Sequence, residues 1–142
     1  MESLVFTLPA KDHYHDTVKR ALRKDGWIIL DDQYFIGTEA RQLWVDLHIE
    51  DAAGQRRLLV EVKSFLGGES AVENLANAIG KYQIYEAAIA IRKLQLPLYL
   101  AIPIRAYEGI FSEDIVTELT RNIEINLIIY DPENEVIVRW VP

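Results

Sequence analysis

The stretch LWVDLHIEDAAGQRRLLVEVK, residues 43–63, decides the fold of this chain. It contains two apolar segments, Leu43–Ile49 and Leu58–Val62, and a polar stretch, Asp51–Gln55, separates them. Apolar runs rich in β-branched residues on both sides of a short polar segment with glycine predict two strands and a tight turn. The stretch therefore predicts a β-hairpin.

The register of this hairpin brings charged residues together. If the turn is centred between positions 53 and 54, Asp46 falls directly opposite Glu61. Residues opposite each other in an antiparallel pair project from the same face, and Lys63, two residues beyond Glu61, shares that face. Two carboxylates on directly opposite residues repel each other, which raises the pKa of one of them or requires a cation between them. The pattern predicts a divalent-metal site with an adjacent lysine.

The chemistry of such a site follows from its donors. Carboxylate oxygens suit Mg²⁺ or Mn²⁺, so Asp46 and Glu61 are the predicted ligands, and the carbonyl of Val62 could add a third. In a phosphodiester reaction the metal would activate water, and Lys63 would hold that water or stabilise charge on the phosphate. The alternative is a sheet face open to water, on which Asp46, Glu61 and Lys63 are ordinary exposed residues.

Three further residues are candidates with two interpretations each. His15 lies on the inward stripe of a predicted helix, about Lys11 to Lys24, and either approaches the metal site or is a satisfied core histidine. Its neighbour Asp16 is either a site acid or a solvated residue. Gln83 shares an apolar stripe of a second predicted helix, where it contacts a phosphate or a site water, or hydrogen-bonds within the core.

Composition limits the classes of protein. The 142 residues are 50% hydrophobic and 26% charged, which predicts a single folded domain over residues 1–142. The chain has no cysteine, so disulfides and thiolate metal sites are excluded. No apolar run is long enough to cross a bilayer and no secretory signal is evident, so we expect a cytoplasmic protein that does not associate with membranes.

The balance of charge limits how the chain binds nucleic acid. A formal net charge of −7 argues against a general nucleic-acid coat, because phosphate affinity depends on Lys and Arg. A local basic cluster remains in the first helix, formed by Lys19, Arg20, Arg23 and Lys24. This cluster is a candidate DNA-binding surface or a solvated helix face.

The remaining segments predict a fold of mixed helices and strands, in the α/β (α+β) class. The predicted elements are a short strand Trp27–Leu30 ended by Asp31 and Asp32, the hairpin, a helix from Ala71 to Leu94 capped by Ser70, a strand Leu96–Ile104, a helix Ser112–Arg121, and strands Ile125–Tyr130 and Glu135–Trp140. A mixed central sheet flanked by helices, with an extra C-terminal hairpin, buries all of their apolar faces.

This order of elements resembles the PD-(D/E)XK nuclease superfamily, which has the restriction-endonuclease-like fold. Asp46, Glu61, Lys63 and Gln83 fall on the motif positions of that superfamily. The resemblance implies a Mg²⁺-dependent endodeoxyribonuclease. The sequence departs from the pattern at Val45, which stands where the superfamily name places proline.

A closer resemblance covers nearly the whole chain. The strings His15-Asp16, ALRKDGW (21–27), VEVKSFL (60–66), GKY (80–82), LYLA (98–101) and EVIV (135–138) followed by Trp140 resemble the XisH family, cyanobacterial factors that control excision of the fdxN element during heterocyst development. The resemblance implies a role in site-specific DNA recombination, with an XisI-like protein, an XisF-like recombinase and DNA as partners.

Two functions therefore remain open. The first is a metal-dependent nuclease-like protein that acts on DNA during excision. The second is a non-catalytic adaptor that keeps the nuclease fold and binds XisI, the recombinase or DNA, for which the C-terminal strand could offer a pairing edge. Analogy with resolvase-like relatives suggests a homodimer.

Overall fold

The chain folds into a mixed six-stranded sheet with helices on both faces. The computed structural model describes residues 11–142. The strands are β1 Ile28–Phe35, β2 Trp44–Glu50, β3 Arg57–Val62, β4 Leu98–Pro103, β5 Leu127–Asp131 and β6 Val136–Val141. The helices are α1 His15–Lys24, α2 Ala71–Ile91, α3 Ile104–Glu108 and α4 Asp114–Arg121, with a 3₁₀ turn at Ile110–Ser112. The predicted mixed sheet with flanking helices is confirmed.

The order of the strands in the sheet follows the chain from β1 to β6. β1, β2 and β3 are antiparallel neighbours, β3, β4 and β5 are parallel, and β6 returns antiparallel to β5. The parallel pair β3–β4 needs a crossover, which α2 supplies. The C-terminal hairpin β5–β6 was predicted and is present.

The β2–β3 hairpin has the register expected from the sequence. Leu47 pairs with Val60 and Glu50 pairs with Arg57, so the hairpin is centred between positions 53 and 54. Asp51 stabilises the turn, because its Oδ1 accepts hydrogen bonds from the backbone N–H groups of Gln55 and Arg56 at 2.8 and 3.2 Å. A short polar side chain that bonds its own backbone is a common way to close a turn.

Helix α2 begins where the sequence predicts. Ser70 is its N-cap, and the Ser70 Oγ accepts a hydrogen bond from the Glu73 backbone N–H at 3.1 Å. This bond satisfies one of the orphan donors of the first turn. Along the helix, Tyr82 is buried and its hydroxyl donates to the Leu98 carbonyl of β4 at 2.9 Å. The helix is therefore anchored to the centre of the sheet.

The sheet separates two apolar cores. The α2-side core contains Leu75, Ala78, Ile79, Tyr82 and Tyr85 of α2 with Val45, Leu59, Leu98, Leu100, Ile102, Leu127 and Ile129 of the strands. The α1-side core contains Val18 and Leu22 of α1 with Leu47, Ile49, Leu58, Val60, Val62, Tyr99, Ala101, Ile128 and Tyr130. Because both faces are covered, the central strand β4 is apolar and buried along its whole length.

Strand β1 is longer than predicted. It continues from Ile28 to Phe35, through the two aspartates that were expected to end it. Asp31 stays in the strand because its Oδ2 lies 2.7 Å from His48 Nδ1. Asp32 stays in the strand because it contacts Lys19 and His15 of α1. Carboxylates are tolerated in a strand when nearby cations and donors compensate them.

Between β4 and β5 the chain also differs from the expectation. β4 ends at Pro103, one residue before the predicted end, and a short helix, α3, follows it immediately. Glu113 occupies the N-cap position of α4 without a side-chain capping bond, and the Ser112 hydroxyl donates back to the carbonyls of residues 108 and 109. Local hydroxyl–backbone bonds compete with capping, so Ser112 ends one turn instead of starting the next helix.

Both outer strands are irregular. In β1 the pairing with β2 shifts between Ile29 and Asp31, and in β6 the pairing with β5 shifts between Ile137 and Arg139. Such bulges bend a strand and increase its twist. None of the helices in residues 11–142 combines the length and the apolar character needed to span a bilayer.

Candidate active site

A polar cavity lies where β2 and β3 separate, beneath the middle of α2. Its volume is about 210 Å³. It is lined by Lys11, Asp12, Trp44, Asp46, Glu61, Val62, Lys63, Ala78, Lys81, Tyr85 and Leu100. The two predicted carboxylates, the predicted lysine and the residue expected to lend a carbonyl therefore share one cavity.

Asp46 and Glu61 are joined through the backbone of the two strands. The Val62 N–H donates to Asp46 Oδ2 at 2.7 Å, and the Asp46 N–H donates to Glu61 Oε1 at 3.2 Å. The regular ladder ends one residue earlier, at Leu47 and Val60. Beyond that pair the strands part, so each carboxylate replaces a missing ladder bond. Both side chains are buried, with 7% of each residue exposed.

The two acids are incompletely neutralised. Burial raises the pKa of Glu61 well above its usual value, and the charge of Asp46 raises it further. Lys81 opposes this effect, because its Nζ lies 3.4 Å from Glu61 Oε2. Burial would lower the pKa of Lys81, but the charge of Glu61 outweighs it and the pKa is raised. One ammonium thus serves two buried carboxylates.

Lys81 and Tyr85 are site residues that the sequence reasoning missed. They lie one turn apart on α2, and the Lys81 Nζ sits 5.8 Å from the centre of the Tyr85 ring. Burial and the charge of Glu61 raise the pKa of Tyr85 to about 12, so its hydroxyl stays protonated at neutral pH. Their i, i+4 spacing was a usable signal, because such residues project from the same side of a helix.

Lys63 is held by its main chain at the edge of the cavity. Its N–H donates to the Ala101 carbonyl at 3.0 Å, and its carbonyl accepts the Tyr130 hydroxyl at 3.2 Å. Within residues 11–142 its ammonium has no ion-pair partner inside 4.0 Å. A fixed backbone with an uncommitted ammonium suits a group that must meet a ligand.

His15 connects the cavity to β1. Only 1% of it is exposed, its Nε2 lies 2.7 Å from Asp32 Oδ1, and its Nδ1 lies 3.5 Å from Asp46 Oδ1. Burial lowers the pKa of His15, but the two carboxylates outweigh burial and the net shift is upward. The contact with Asp46 lacks hydrogen-bond geometry at Nδ1 and is an ion pair when the ring is protonated. His15 is thus brought against the predicted site.

Comparisons with known proteins agree with this architecture. The profile of the XisH protein family matches residues 8–138. The chain belongs to the XisH family. The crystal structure of an XisH family protein from Nostoc punctiforme PCC 73102 has a TM-score of 0.84 and 36% identity, over 92% of this chain and 100% of that one.

A second solved structure is similar to this XisH-family chain. It is that of an fdxN element excision controlling factor protein from Anabaena variabilis, with a TM-score of 0.83 and 36% identity over 91% of this chain and 98% of that one. No curated protein matches the chain significantly. The family predicted from the sequence is confirmed.

Gln83 of this XisH-family protein lies away from the cavity. Gln83 is exposed and lines an apolar groove between α2 and α4 together with Val72, Ala76 and Ile79. It lies two residues from Lys81, which is about 200° around a helix, so the two side chains cannot serve one cavity. The stripe that contains Gln83 borders the groove with α4 rather than the cavity.

Asp16 also lies outside the cavity. Asp16 is exposed, and one of its carboxylate oxygens lies within 4.8 Å of potential ligand atoms of His15 and Asp32. Among residues 11–142, these three side chains are a group close enough together to share a metal ion. Lys19 and Lys11 already approach Asp32, at 2.6 and 3.7 Å. Burial raises the pKa of Asp32, but hydrogen bonds from Lys19 and His15 outweigh it and lower the pKa.

The basic cluster of α1 is largely engaged within the chain. Arg20 forms a bidentate pair with Glu135, with distances from 2.6 to 3.0 Å. Lys19 bonds a β1 carboxylate at 2.6 Å, and Lys24 donates to the Asn134 carbonyl at 3.0 Å. Arg23 is exposed and forms no ion pair among the described residues.

The donors of the cavity fit a hard cation. Asp46 and Glu61 supply carboxylate oxygens in a buried place, where the charge of Asp46 helps to raise the pKa of Glu61. In a strand the N–H and C=O of one residue point to the same side, so the carbonyl of Val62 faces the side on which its N–H meets Asp46. Magnesium and manganese prefer this set of oxygens, whereas zinc prefers nitrogen and sulfur.

Proposed function

We propose that this XisH-family protein is a metal-dependent, nuclease-like protein that acts on DNA phosphodiesters during excision of an fdxN-type DNA element. The observation that carries the proposal is the common cavity of Asp46, Glu61 and Lys63. The similar Anabaena variabilis protein, named as an excision controlling factor, supports the biological setting. Heterocyst development is the proposed context.

The order of elements supports a PD-(D/E)XK type of site. α1, β1, the Asp-bearing β2, the Glu-x-Lys β3 and the crossover helix α2 follow one another, and residues of β2, β3 and α2 line one cavity. Lys81 of α2 occupies the place at the cavity that was expected for Gln83. We propose that Lys81 serves as the polar residue that the helix places beside Glu61, the role expected for Gln83.

The proposed division of roles follows from the contacts. Asp46, Glu61 and the Val62 carbonyl hold Mg²⁺ or Mn²⁺, which when bound orients water and makes it more acidic. Lys63 donates from its ammonium to a phosphate oxygen or to the attacking water, which stabilises the negative charge that develops on phosphorus-bound oxygen. Lys81 favours the ionised form of Glu61, because its ammonium opposes the effects of burial and of Asp46 on the pKa of that carboxyl.

His15 acts on Asp46 rather than on the substrate. It is buried between Asp46 and Asp32, and a protonated ring attracts both carboxylates. We propose that His15 orients the Asp46 carboxylate toward the ion. A contact of this kind behind a ligand commonly changes metal affinity by about 10- to 100-fold when it is removed.

A second function, the non-catalytic adaptor, is favoured by one specific observation. Three of the four basic residues of α1 are held by partners within the chain, and the net charge is −7. Phosphate affinity depends on available Lys and Arg, so stable DNA binding would need help from another protein. An XisI-like protein or an XisF-like recombinase is the proposed source of that help, and a homodimer would double the few available cations.

The first test is metal binding. Calorimetric titration with Mn²⁺ should give a signal for the wild type that is lost in both Asp46→Ala and Glu61→Ala. Glu39→Ala, which removes an exposed carboxylate, is the matched control and should bind as the wild type does. No binding by the wild type, or binding that survives in both site variants, would exclude the proposed metal site.

The second test separates nuclease from adaptor. The wild type should cleave branched or linear DNA in Mg²⁺, alone or with an XisI-like partner, and Lys63→Ala should not. Lys93→Ala removes an exposed lysine near the end of α2 and should leave cleavage intact. If metal binds but neither substrate is cleaved under either condition, the adaptor function is the better account.

A further inference from the structure

Gln33 of β1 has an unusual conformation for its residue type. Its φ is +69°, in the left-handed region that glycine adopts readily and other L residues rarely adopt. Both polar atoms of its side chain, Oε1 and Nε2, are buried without a hydrogen-bond partner in the part of the chain that the structure describes. A strained residue with an unsatisfied amide persists only where the surrounding structure holds it, and such residues concentrate at functional sites.

The position of Gln33 gives this strain a meaning. Asp32 pairs with Leu47 and Tyr34 pairs with Val45 across β1 and β2. Gln33 therefore stands directly opposite Asp46, the carboxylate at the centre of the proposed site. Asp46 thus has the strained glutamine on its β1 side and Glu61 on its β3 side.

The alternation of side chains reverses at this pair. Tyr34 and Val45 both pack in the α2-side core, whereas Leu47 packs in the α1-side core and Asp32 contacts His15 of α1. In a regular strand, residues two apart point to the same face. Here the neighbours on either side of Gln33 and of Asp46 point to opposite faces, so both strands turn over at this point.

We infer that Gln33 is a positioning residue for Asp46. Its left-handed backbone turns β1 over, and β2 follows because the two strands remain paired on both sides of the turn. Asp46 leaves the ladder as a result, and its carboxylate meets the Val62 N–H of β3 on one side and His15 of α1 on the other. A regular β1 would keep Asp46 facing only one core.

The backbone of Gln33, rather than its amide, carries this role. Gln33→Gly removes the amide but adopts the left-handed conformation without strain, so Asp46 should keep its place. Gln33→Val introduces a β-branched side chain that strongly disfavours this conformation, so the strand should relax and displace Asp46. If Gln33→Val does not fold, Gln33→Ala makes the same comparison with a smaller conformational penalty.

A matched control exists in the same chain. Gln95, in the exposed connection between α2 and β4, has a φ of +55° and is the same residue type. It does not line the proposed cavity. Gln95→Val should therefore carry the same kind of backbone penalty without touching Asp46, which separates a loss of overall stability from a loss of positioning.

The experiment compares the four variants in two measurements. The first is the amide resonance and hydrogen exchange of Val62 in the metal-free protein, because this N–H donates to Asp46. Gln33→Val, or Gln33→Ala in its place, should shift the resonance and lower its protection, whereas Gln33→Gly and Gln95→Val should resemble the wild type. An unchanged Val62 N–H in Gln33→Val and Gln33→Ala would overturn the inference.

The second measurement is Mn²⁺ affinity, which rests on the proposed function. Gln33→Val should raise the dissociation constant by about tenfold or more, while Gln33→Gly should stay within about twofold of the wild type. An equal loss in Gln33→Gly and Gln33→Val would overturn the backbone role in favour of the amide. Absence of Mn²⁺ binding in the wild type would defeat the proposed metal site, while the Val62 readout would still decide whether Gln33 positions Asp46.

Discussion

The cavity and the basic surface of α1 differ in how far their charged side chains are paired with opposite charges. In the cavity, Asp46 and Glu61 are buried and share one nearby ammonium, Lys81. On α1, Arg20 has a carboxylate of its own, and the other basic residues are mostly held as well. The difference teaches that the number of charges does not mark a binding site, whereas uncompensated charge does, because only uncompensated charge gains by meeting a ligand.

This imbalance also has a thermodynamic consequence. A carboxylate whose pKa is raised by burial and by a like charge opposes folding at neutral pH, because ionisation is less favourable in the folded state. The pairs on α1 carry no such penalty. Natural proteins commonly accept local destabilisation at functional sites, and the raised pKa of Glu61 makes this cavity a candidate for one.

The largest expected effect is on catalysis. Lys63→Ala should lower the rate of DNA cleavage by about 10²- to 10³-fold, which is typical for loss of a group that stabilises developing charge. The Mn²⁺ dissociation constant should hardly change, because Lys63 is not a proposed ligand. Single-turnover cleavage and calorimetry measure the two quantities. Equal losses in rate and in metal affinity would show that Lys63 supports the ion instead.

The next effect is the pH dependence of metal binding. The raised pKa of Glu61 means that a proton competes with the ion at a higher pH than at an ordinary glutamate. Mn²⁺ affinity should therefore fall as the pH is lowered through that pKa, by about tenfold per pH unit when one proton is displaced. Titrations at several pH values below 8 measure the slope. A flat profile down to the usual glutamate pKa would contradict the electrostatic description of the cavity.

A smaller effect is expected on stability. Because the folded pKa of Glu61 is raised, its ionisation lowers the free energy of unfolding as the pH rises from the usual value toward the raised one. Glu61→Gln should therefore stabilise the metal-free protein at pH 8, with the gain vanishing as the pH falls to the usual pKa of a glutamate. Urea unfolding measures this, and Glu39→Gln is the exposed control. Destabilisation at pH 8 would show that Lys81 compensates Glu61 fully.

The smallest effect concerns the basic surface. Arg23 has no ion-pair partner among the described residues, so Arg23→Ala should lower the slope of log affinity for DNA against log salt by about one. Arg20→Ala should leave this slope unchanged, because Glu135 already neutralises that guanidinium. Fluorescence anisotropy at several salt concentrations compares the two. The reverse order would mean that DNA displaces Glu135.

The sequence predicted the parts of the fold that local rules control. The β2–β3 register followed from the position of the polar turn, and the start of α2 followed from Ser70 and its capping bond. The common cavity of Asp46, Glu61 and Lys63 followed from the same register. In these cases neighbours in sequence determine geometry, so spacing alone was sufficient.

The sequence did not predict features that depend on tertiary contacts. The continuation of β1 through Asp31 and Asp32 depends on His48, Lys19 and His15, which are distant in sequence. The choice between Lys81 and Gln83 required knowing which side of α2 faces the sheet. That helix buries residues over a wide arc, because both the sheet and the neighbouring helices cover it, so its stripe was ambiguous.

The interrupted pairing of β1 and β6 has a consequence for how this protein behaves at high concentration. The outermost strands of a sheet are where copies of a chain stack into open-ended aggregates, and a bulge prevents a flat fit. Both borders of this sheet carry one, near Leu30 and near Val138. The two bulges therefore disfavour growth by strand addition at both borders of the sheet.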